Sequence, residues 1–277
     1  MADCMYCGKP AGVFRKKHRE CDKKYRAGYQ QMVAIATAVL VNGEQGTDLD
    51  SELREIARKS YHSESSVADA LIEGWERAVD HFLDDGQLDE GEEQRLVKYA
   101  RQHSFSQEQL DRRGAYSRLV KGAVLRDILN GVVPQRFTVE GRLPFNFQKT
   151  ERLIWAFKDT KYYEDRKRRT YVGGSQGFSI RIAKGVYYRV GAFKGYPVEQ
   201  KERVFVGSGL MAVTDRHIYF TGGGKSFRIR HDKVVTIEPF SDGVGLHRDA
   251  QTARPQYFIT GDGWFTYNLL VNVSQLE

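Results

Sequence analysis

Apolar residues recur at helical spacing through the first half of the chain and at alternating spacing through much of the second. From Asp22 to about Val133 the pattern predicts helices: Leu71, Trp75, Val79 and Phe82 fall on one face of a helix that Ser65 or Ser66 would cap. Asp85-Gly86 should end it, and Leu88 with Glu92, Glu93, Leu96 and Tyr99 should open the next. A later helix spans roughly Tyr116 to Leu129 and stops at Asn130-Gly131. After Pro144 the period shortens to two. Short strands are expected at "FSIRIA", "VYYRVGAF", "RVFVGSG", "LMAVTD", "HIYFTG", "SFRIRH", "KVVTIEPF", "VGLHRD" and "QYFIT". Lys184-Gly185, Gly222-Gly223-Gly224 and Ser241-Asp242-Gly243 supply hairpin turns between them. The chain closes on a helical stripe of Phe265, Leu269, Val273 and Leu276.

These patterns, with a cysteine cluster near the start of the chain, predict an α+β multidomain protein: a small cysteine-bearing knuckle over 1–30, an acidic helical domain over 31–135, a linker over 136–150, and an antiparallel β barrel closed by a C-terminal helix over 151–277. Charge follows the same divisions. Basic and acidic residues number 8 and 3 in 1–30, 7 and 18 in 31–111, 8 and 2 in 112–150, and 20 and 13 in 151–277. The formal net charge of +7 is thus carried by modules with different surfaces, which argues against one uniformly basic nucleic-acid binder. Arg112, Arg113, Arg118, Lys121 and Arg126, on and before the last helix of the middle domain, are placed to pack against its acidic helices.

The longest apolar run, Met32 to Val41, has 10 residues, well short of the roughly 20 that span a bilayer. No transmembrane segment or secretory signal is expected, and three clustered cysteines make a poor disulfide framework. The expected location is the cytoplasm.

All three cysteines lie within residues 4–21. Cys4 and Cys7 are two residues apart, ten residues intervene before His18, and two more separate His18 from Cys21. Two close pairs joined by a loop supply the four ligands of a tetrahedral structural Zn²⁺. Gly8 suits the sharp turn after Cys7. A catalytic zinc keeps a position open, whereas this set fills all four, so the metal's expected role is structural. The segment resembles a short zinc ribbon or treble-clef-like knuckle. Its basic flank, Arg15, Lys16, Lys17 and Arg19, would balance the thiolates or contact nucleic-acid phosphates.

Three apparent motifs fail on their spacing. "FLDDGQLDEGEEQRL" is not an EF-hand loop, because placing Gly86 at the loop glycine puts His81 and Leu83 at ligand positions. Helix caps and solvated faces explain its acids better than a divalent site at Asp84, Asp85, Asp89 and Glu92. Gly222-Gly223-Gly224-Lys225-Ser226 is not a P-loop, since Tyr219 stands where the first glycine should be and a strand pattern follows. Histidines 62, 81, 103, 217, 231 and 247 are scattered without metal-ligand or nucleophile spacing. Catalysis is therefore not expected.

The acidic "DG then E" stretch resembles the helical hairpin of tellurite-resistance TerB-like domains. "GSGLMAVTDRHIYFTGGGKSFRIRHDKVVTIEPFSDGVGLHR" is similar to bacterial pleckstrin-homology and GRAM-like domains in its glycine, Val213-Thr214, Arg216, Phe220, Lys233, Val235 and Ile237. Residues 151–200 exceed that pattern and should add strands or form a separate small sheet. The resemblance implies a binding module rather than an enzyme, an adaptor for a protein partner or an anionic membrane, with bacterial stress response or phage defence as the setting by analogy. Lys161, Arg166, Lys167, Arg168 and Arg169, interleaved with tyrosines, are the candidate docking residues; nucleic-acid binding by the basic knuckle is the alternative.

Overall fold

The computed structural model describes residues 2–12, 15–43, 48–84, 86–136, 143–172, 175–183, 186–193, 196–250 and 253–276, with side chains outside 167–201. The chain divides into two compact units, Met1–Val132 and Val133–Glu277.

The first unit follows its cysteine segment with α1 (Arg19–Asn42), α2 (Leu49–Lys59), α3 (Glu64–Phe82), α4 (Glu90–Gln102), the short α5 (Gln107–Leu110) and α6 (Ala115–Leu129). Helix α3 is central and packs against α1, α2, α4, α5 and α6. Its face is the expected one: Leu71, Trp75, Val79 and Phe82 are all buried. Trp75 is 1 % exposed and its indole N–H donates to the Leu96 carbonyl at 3.0 Å, which ties α3 to α4. The cap is Ser63, not Ser65 or Ser66; Ser63 has extended backbone and its hydroxyl accepts from the Ser66 amide, 3.4 Å away. The helix also ends earlier than Asp85-Gly86, with Leu83 as its C-cap, while Asp85 lies outside the described residues.

The apolar run Met32 to Val41 belongs to α1, where Met32, Val33, Ala36 and Leu40 are buried in this core. Among the described residues no helix is long and apolar enough to cross a membrane. Acidic and basic helices pack as their charges suggest: Arg126 meets Glu93 at 2.5 Å, Arg118 meets Asp80 at 2.6 Å and Arg113 meets Glu76 at 3.2 Å. Much of the segregated charge is therefore neutralised inside this unit.

The second unit is an antiparallel sheet of seven strands curled into a half-barrel, in the order β6 (Lys225–Arg230), β5 (His217–Gly222), β4 (Tyr196–Thr214), β1 (Leu153–Val172), β9 (Gln256–Ile259), β8 (Gly243–Arg248) and β7 (Val234–Pro239), with α7 (Gly263–Val273) packed on β7 and β8. Phe265, Leu269, Leu270 and Val273 of α7 are buried, whereas Leu276 lies beyond the helix end. Strands β5 (His217–Gly222), β6 (Lys225–Arg230), β7 (Val234–Pro239), β8 (Gly243–Arg248) and β9 (Gln256–Ile259) match the alternating segments closely.

The two long strands differ from expectation. β1 (Leu153–Val172) was hidden under a basic and aromatic composition, and β4 (Tyr196–Thr214) runs through "RVFVGSG" and "LMAVTD" as one element. Gly207 and Gly209 look like a turn in sequence but lie against Gly222 and Gly223, where a Cβ on Gly209 would collide with the Thr221 carbonyl. β2 (Ser175–Ala183) and β3 (Val186–Phe193) do not join the half-barrel and pair only with each other among the described residues. Their ladder keeps the register of β1 with β4: Val172 faces Tyr196 in one and Ser175 faces Phe193 in the other. Residues 151–200 thus supply the separate small sheet as well as β1. The Lys184-Gly185 turn lies outside the described residues.

Candidate metal centre

Cys4 opens a tight turn in which its amide donates to the Lys9 carbonyl at 2.8 Å and its carbonyl accepts from Gly8 at 2.9 Å. Gly8 takes φ +70°, a left-handed conformation that an L side chain rarely adopts. Met5 donates to the Lys16 carbonyl at 2.9 Å, and this bond brings the far end of the loop back onto the turn. His18 then N-caps α1 and Cys21 sits in the first helical turn. One ligand pair comes from a knuckle and the other from a helix start.

The four ligand atoms of Cys4, Cys7, His18 and Cys21 all lie within 4.8 Å of one another. His18 Nδ1 is 3.4 Å from Cys7 Sγ and 3.7 Å from Cys21 Sγ. Zinc bond lengths and tetrahedral angles place neighbouring nitrogen and sulfur ligands about 3.5 Å apart, so the spacing fits. The other ring nitrogen of His18, Nε2, lies 3.1 Å from the Pro10 carbonyl; donating there leaves the Nδ1 lone pair for a cation. Burial pushes the Cys4 thiol up, but amide donors from Cys7, His18 and Tyr6 outweigh it and bring it down to about 6. Burial and the adjacent Cys7 sulfur push Cys21 up. A divalent cation is what allows such a cluster to ionise together. These residues can hold a metal ion, and among the described residues no other group of three His, Cys, Asp or Glu is so placed.

An aromatic set ties the knuckle to the helices. Tyr6 stacks on Tyr25 at 4.7 Å between ring centroids, Tyr25 stacks on His62 at 3.9 Å, and the Tyr61 hydroxyl lies 4.0 Å from Cys21 Sγ. Tyr61 is 37 % exposed at φ +67°, with the Lys24 ammonium 5.5 Å from its ring centre. Of the basic flank, Arg15, Lys16, Lys17 and Arg19 are exposed, and Lys17 is engaged by Asp22 at 2.7 Å.

The other candidates fall as follows. Asp89 and Glu92 form a capping box at the start of α4, each side chain accepting from the other's backbone amide, which accounts for both acids without a cation. Gly223 and Gly224 are a left-handed hairpin tip, and the Lys225 ammonium is held by the Glu164 carboxylate, as expected for a sheet rather than a nucleotide loop. Lys161 and Arg166 are both exposed on β1 but face opposite sides of it. Arg166 points to Glu164 at 3.9 Å, beside the buried Tyr162. Lys161 shares the outer face with Tyr163, which packs on Phe205 at 5.2 Å. Lys167, Arg168 and Arg169 pair through their backbones with Lys201, Gln200 and Glu199, and their side chains lie outside the described residues.

Sequence spacing missed a second polar cluster. Glu151, just before β1, has a fully buried side chain that accepts from His217 Nδ1 at 2.8 Å, the Tyr219 hydroxyl at 2.7 Å, the Thr214 hydroxyl at 2.5 Å and the Gln148 amide at 2.8 Å. His217 is 66 positions from Glu151, so no local motif could reveal the pair. Burial pushes the Glu151 carboxyl up, but the four donors together hold it below the usual carboxylate range, and its charge with burial pushes Tyr219 up to about 12.

A depressed folded-state value means that this carboxylate stabilises the fold above its unfolded value, about 4.3, and that the contribution is lost as pH falls through the folded value. Glu151→Gln should therefore lower the melting temperature of the β unit at neutral pH, and the gap from wild type should close as pH drops from about 5 to about 3. A gap that stays constant across that acid range would show that the carboxylate's charge is not what matters.

Comparison with the models of known protein families and with curated proteins yields no match. The chemistry of the site therefore rests on its own geometry.

Proposed function

We propose that this chain is a non-catalytic binding protein in which a structural zinc at Cys4, Cys7, His18 and Cys21 fixes the knuckle, and the β unit docks on an anionic membrane surface. The curled half-barrel with α7 packed on it supports a pleckstrin-homology or GRAM-like reading of the β unit. The acidic helical hairpin supports a TerB-like reading of the middle, and the setting is a cytoplasmic adaptor.

One observation carries the docking assignment: the outer face of β1 and β4 sets exposed cationic and aromatic groups side by side. Lys161 is exposed there, Phe205 is 52 % exposed against Tyr163, and the Arg203 guanidinium lies 3.5 Å from the Tyr257 ring centre and 3.8 Å from the Asp165 carboxylate, which leaves Lys161 as the cation without an acid partner among the described residues. Basic groups attract anionic headgroups while an exposed aromatic ring enters the interface. Sedimentation with vesicles rich in phosphatidylserine, against neutral phosphatidylcholine vesicles, tests this. The double variant Lys161→Glu, Phe205→Ser should lose at least tenfold in vesicle affinity; a folded variant that binds like wild type removes the face from the account.

A second reading has its own observation. Tyr61 stands exposed beside Lys24, an arrangement suited to stacking a nucleic-acid base. That reading requires single-stranded nucleic acid to displace the vesicles and its affinity to fall steeply with salt.

A further inference from the structure

His217, the buried partner of Glu151, lines a cavity of about 430 Å³ between the β4–β5 turn, the end of β6 and the residues after α7. Its volume falls within the range of small-molecule sites, roughly 300–1,000 Å³. His217 lines it with its Nδ1 committed to Glu151. Among the described residues Nε2 has no hydrogen-bond partner and is not sealed off from solvent, and His217 lines the cavity.

The other charged groups around His217 largely cancel in pairs. Arg230 forks Asp232 at 3.0 and 2.7 Å, and Asp215 accepts from the Arg152 amide at 3.0 Å with the Arg152 guanidinium 3.6 Å away. His231 gives Nε2 to the Thr214 carbonyl at 2.9 Å, and burial holds it below the usual histidine range. Arg216 is exposed at the cavity wall, and among the described residues its guanidinium has no ion pair. The cavity is therefore lined by one cation without an ion pair among the described residues, Arg216, and by the imidazole of His217. Its acids and histidines are not clustered as a metal site.

We propose that this cavity binds an oxyanion, the phosphate or sulfate group of a small ligand or of a lipid headgroup, held between the Arg216 guanidinium and Nε2 of His217. A guanidinium fork matches the geometry of such a group, and an anion on Nε2 requires that nitrogen to donate. Behind it, Glu151 fixes the ring orientation and balances the imidazolium, so Glu151 is a positioning residue. Sulfate is the suitable probe because its charge does not change with pH near neutrality.

The test is a sulfate titration of the full chain at fixed ionic strength, followed by the imidazole nitrogen resonances of His217, and repeated with glycerol 3-phosphate and with phosphatidic acid vesicles. The expected result is saturable movement of the His217 Nε2 resonance. Arg216→Ala, at an exposed position, should weaken binding at least tenfold, and His217→Asn should weaken it as well. Preference for glycerol 3-phosphate identifies a soluble ligand, and Arg216-dependent binding of the vesicles alone identifies a headgroup; both support the site. The proposal is overturned if no anion moves the His217 resonance, or if Arg216→Ala binds every probe as tightly as wild type. The vesicle variants at Lys161 and Phe205 alter a different surface, so either assignment can fail alone.

Discussion

Cys4→Ser should abolish stoichiometric metal binding and loosen residues 2–18 while leaving most of the helical signal in place. Cys4 is 2 % exposed and is the hub of the knuckle: its amide and carbonyl close the turn, and its sulfur lies 3.4 Å from the His18 amide. A hydroxyl in its place is a poor ligand for a cation already surrounded by sulfurs. The segment before α1 has little core of its own, with Cys4 and Ala11 its buried apolar residues among those described, so the cation must supply most of its ordering energy, on the order of 10 kcal/mol for small zinc modules. Metal analysis together with limited proteolysis checks this. Cleavage should appear before Arg19 in the variant and in chelator-treated wild type; protection equal to that of untreated wild type would mean that the aromatic contacts of Tyr6 and Tyr25 hold the knuckle unaided.

Trp75→Ala should have the largest effect on the helical unit. The side chain is 1 % exposed at the centre of the core, and its N–H donates to the Leu96 carbonyl. Truncating a buried tryptophan costs about 3–5 kcal/mol through lost transfer energy and the cavity left behind. Losing the N–H removes one further hydrogen bond, about 0.5–1.5 kcal/mol, while the Leu96 carbonyl keeps its in-helix partner within α4. Against a usual total of about 5–15 kcal/mol, this brings the unit close to unfolding at ambient temperature. Urea denaturation followed by far-ultraviolet circular dichroism reads it, and a loss below about 1 kcal/mol would show that α3 and α4 repack around the vacancy.

Legibility of the fold in the sequence followed from how far each element's environment was local. α3 and α4 were readable because one apolar stripe faces one core, and the Cys–His tetrad because its ligands lie within 18 positions. β1 was hidden because both its faces carry polar work: Tyr162 and Glu164 reach Gln256 and Lys225 on one side, and Asp165 reaches Tyr257 on the other. That pairing erases the apolar–polar alternation that marks a half-buried strand. β4 was cut in two because Gly207 and Gly209 mimic a turn, whereas they serve close approach of backbones, a tertiary requirement. Glu151 and His217 belong to the same class: only the folded sheet brings them together. The candidate docking residues Lys161 and Arg166 lie at odd and even positions of β1, and odd and even residues of a strand face opposite ways, which sequence adjacency does not show.

The measurement that bears most directly on the account is zinc-edge X-ray absorption on the purified full chain, with metal content determined on the same sample. The account predicts one zinc per chain with three sulfurs at about 2.3 Å and one nitrogen at about 2.0 Å. A shell of oxygen and nitrogen ligands only, or metal far below one equivalent in protein purified without chelators, would contradict it.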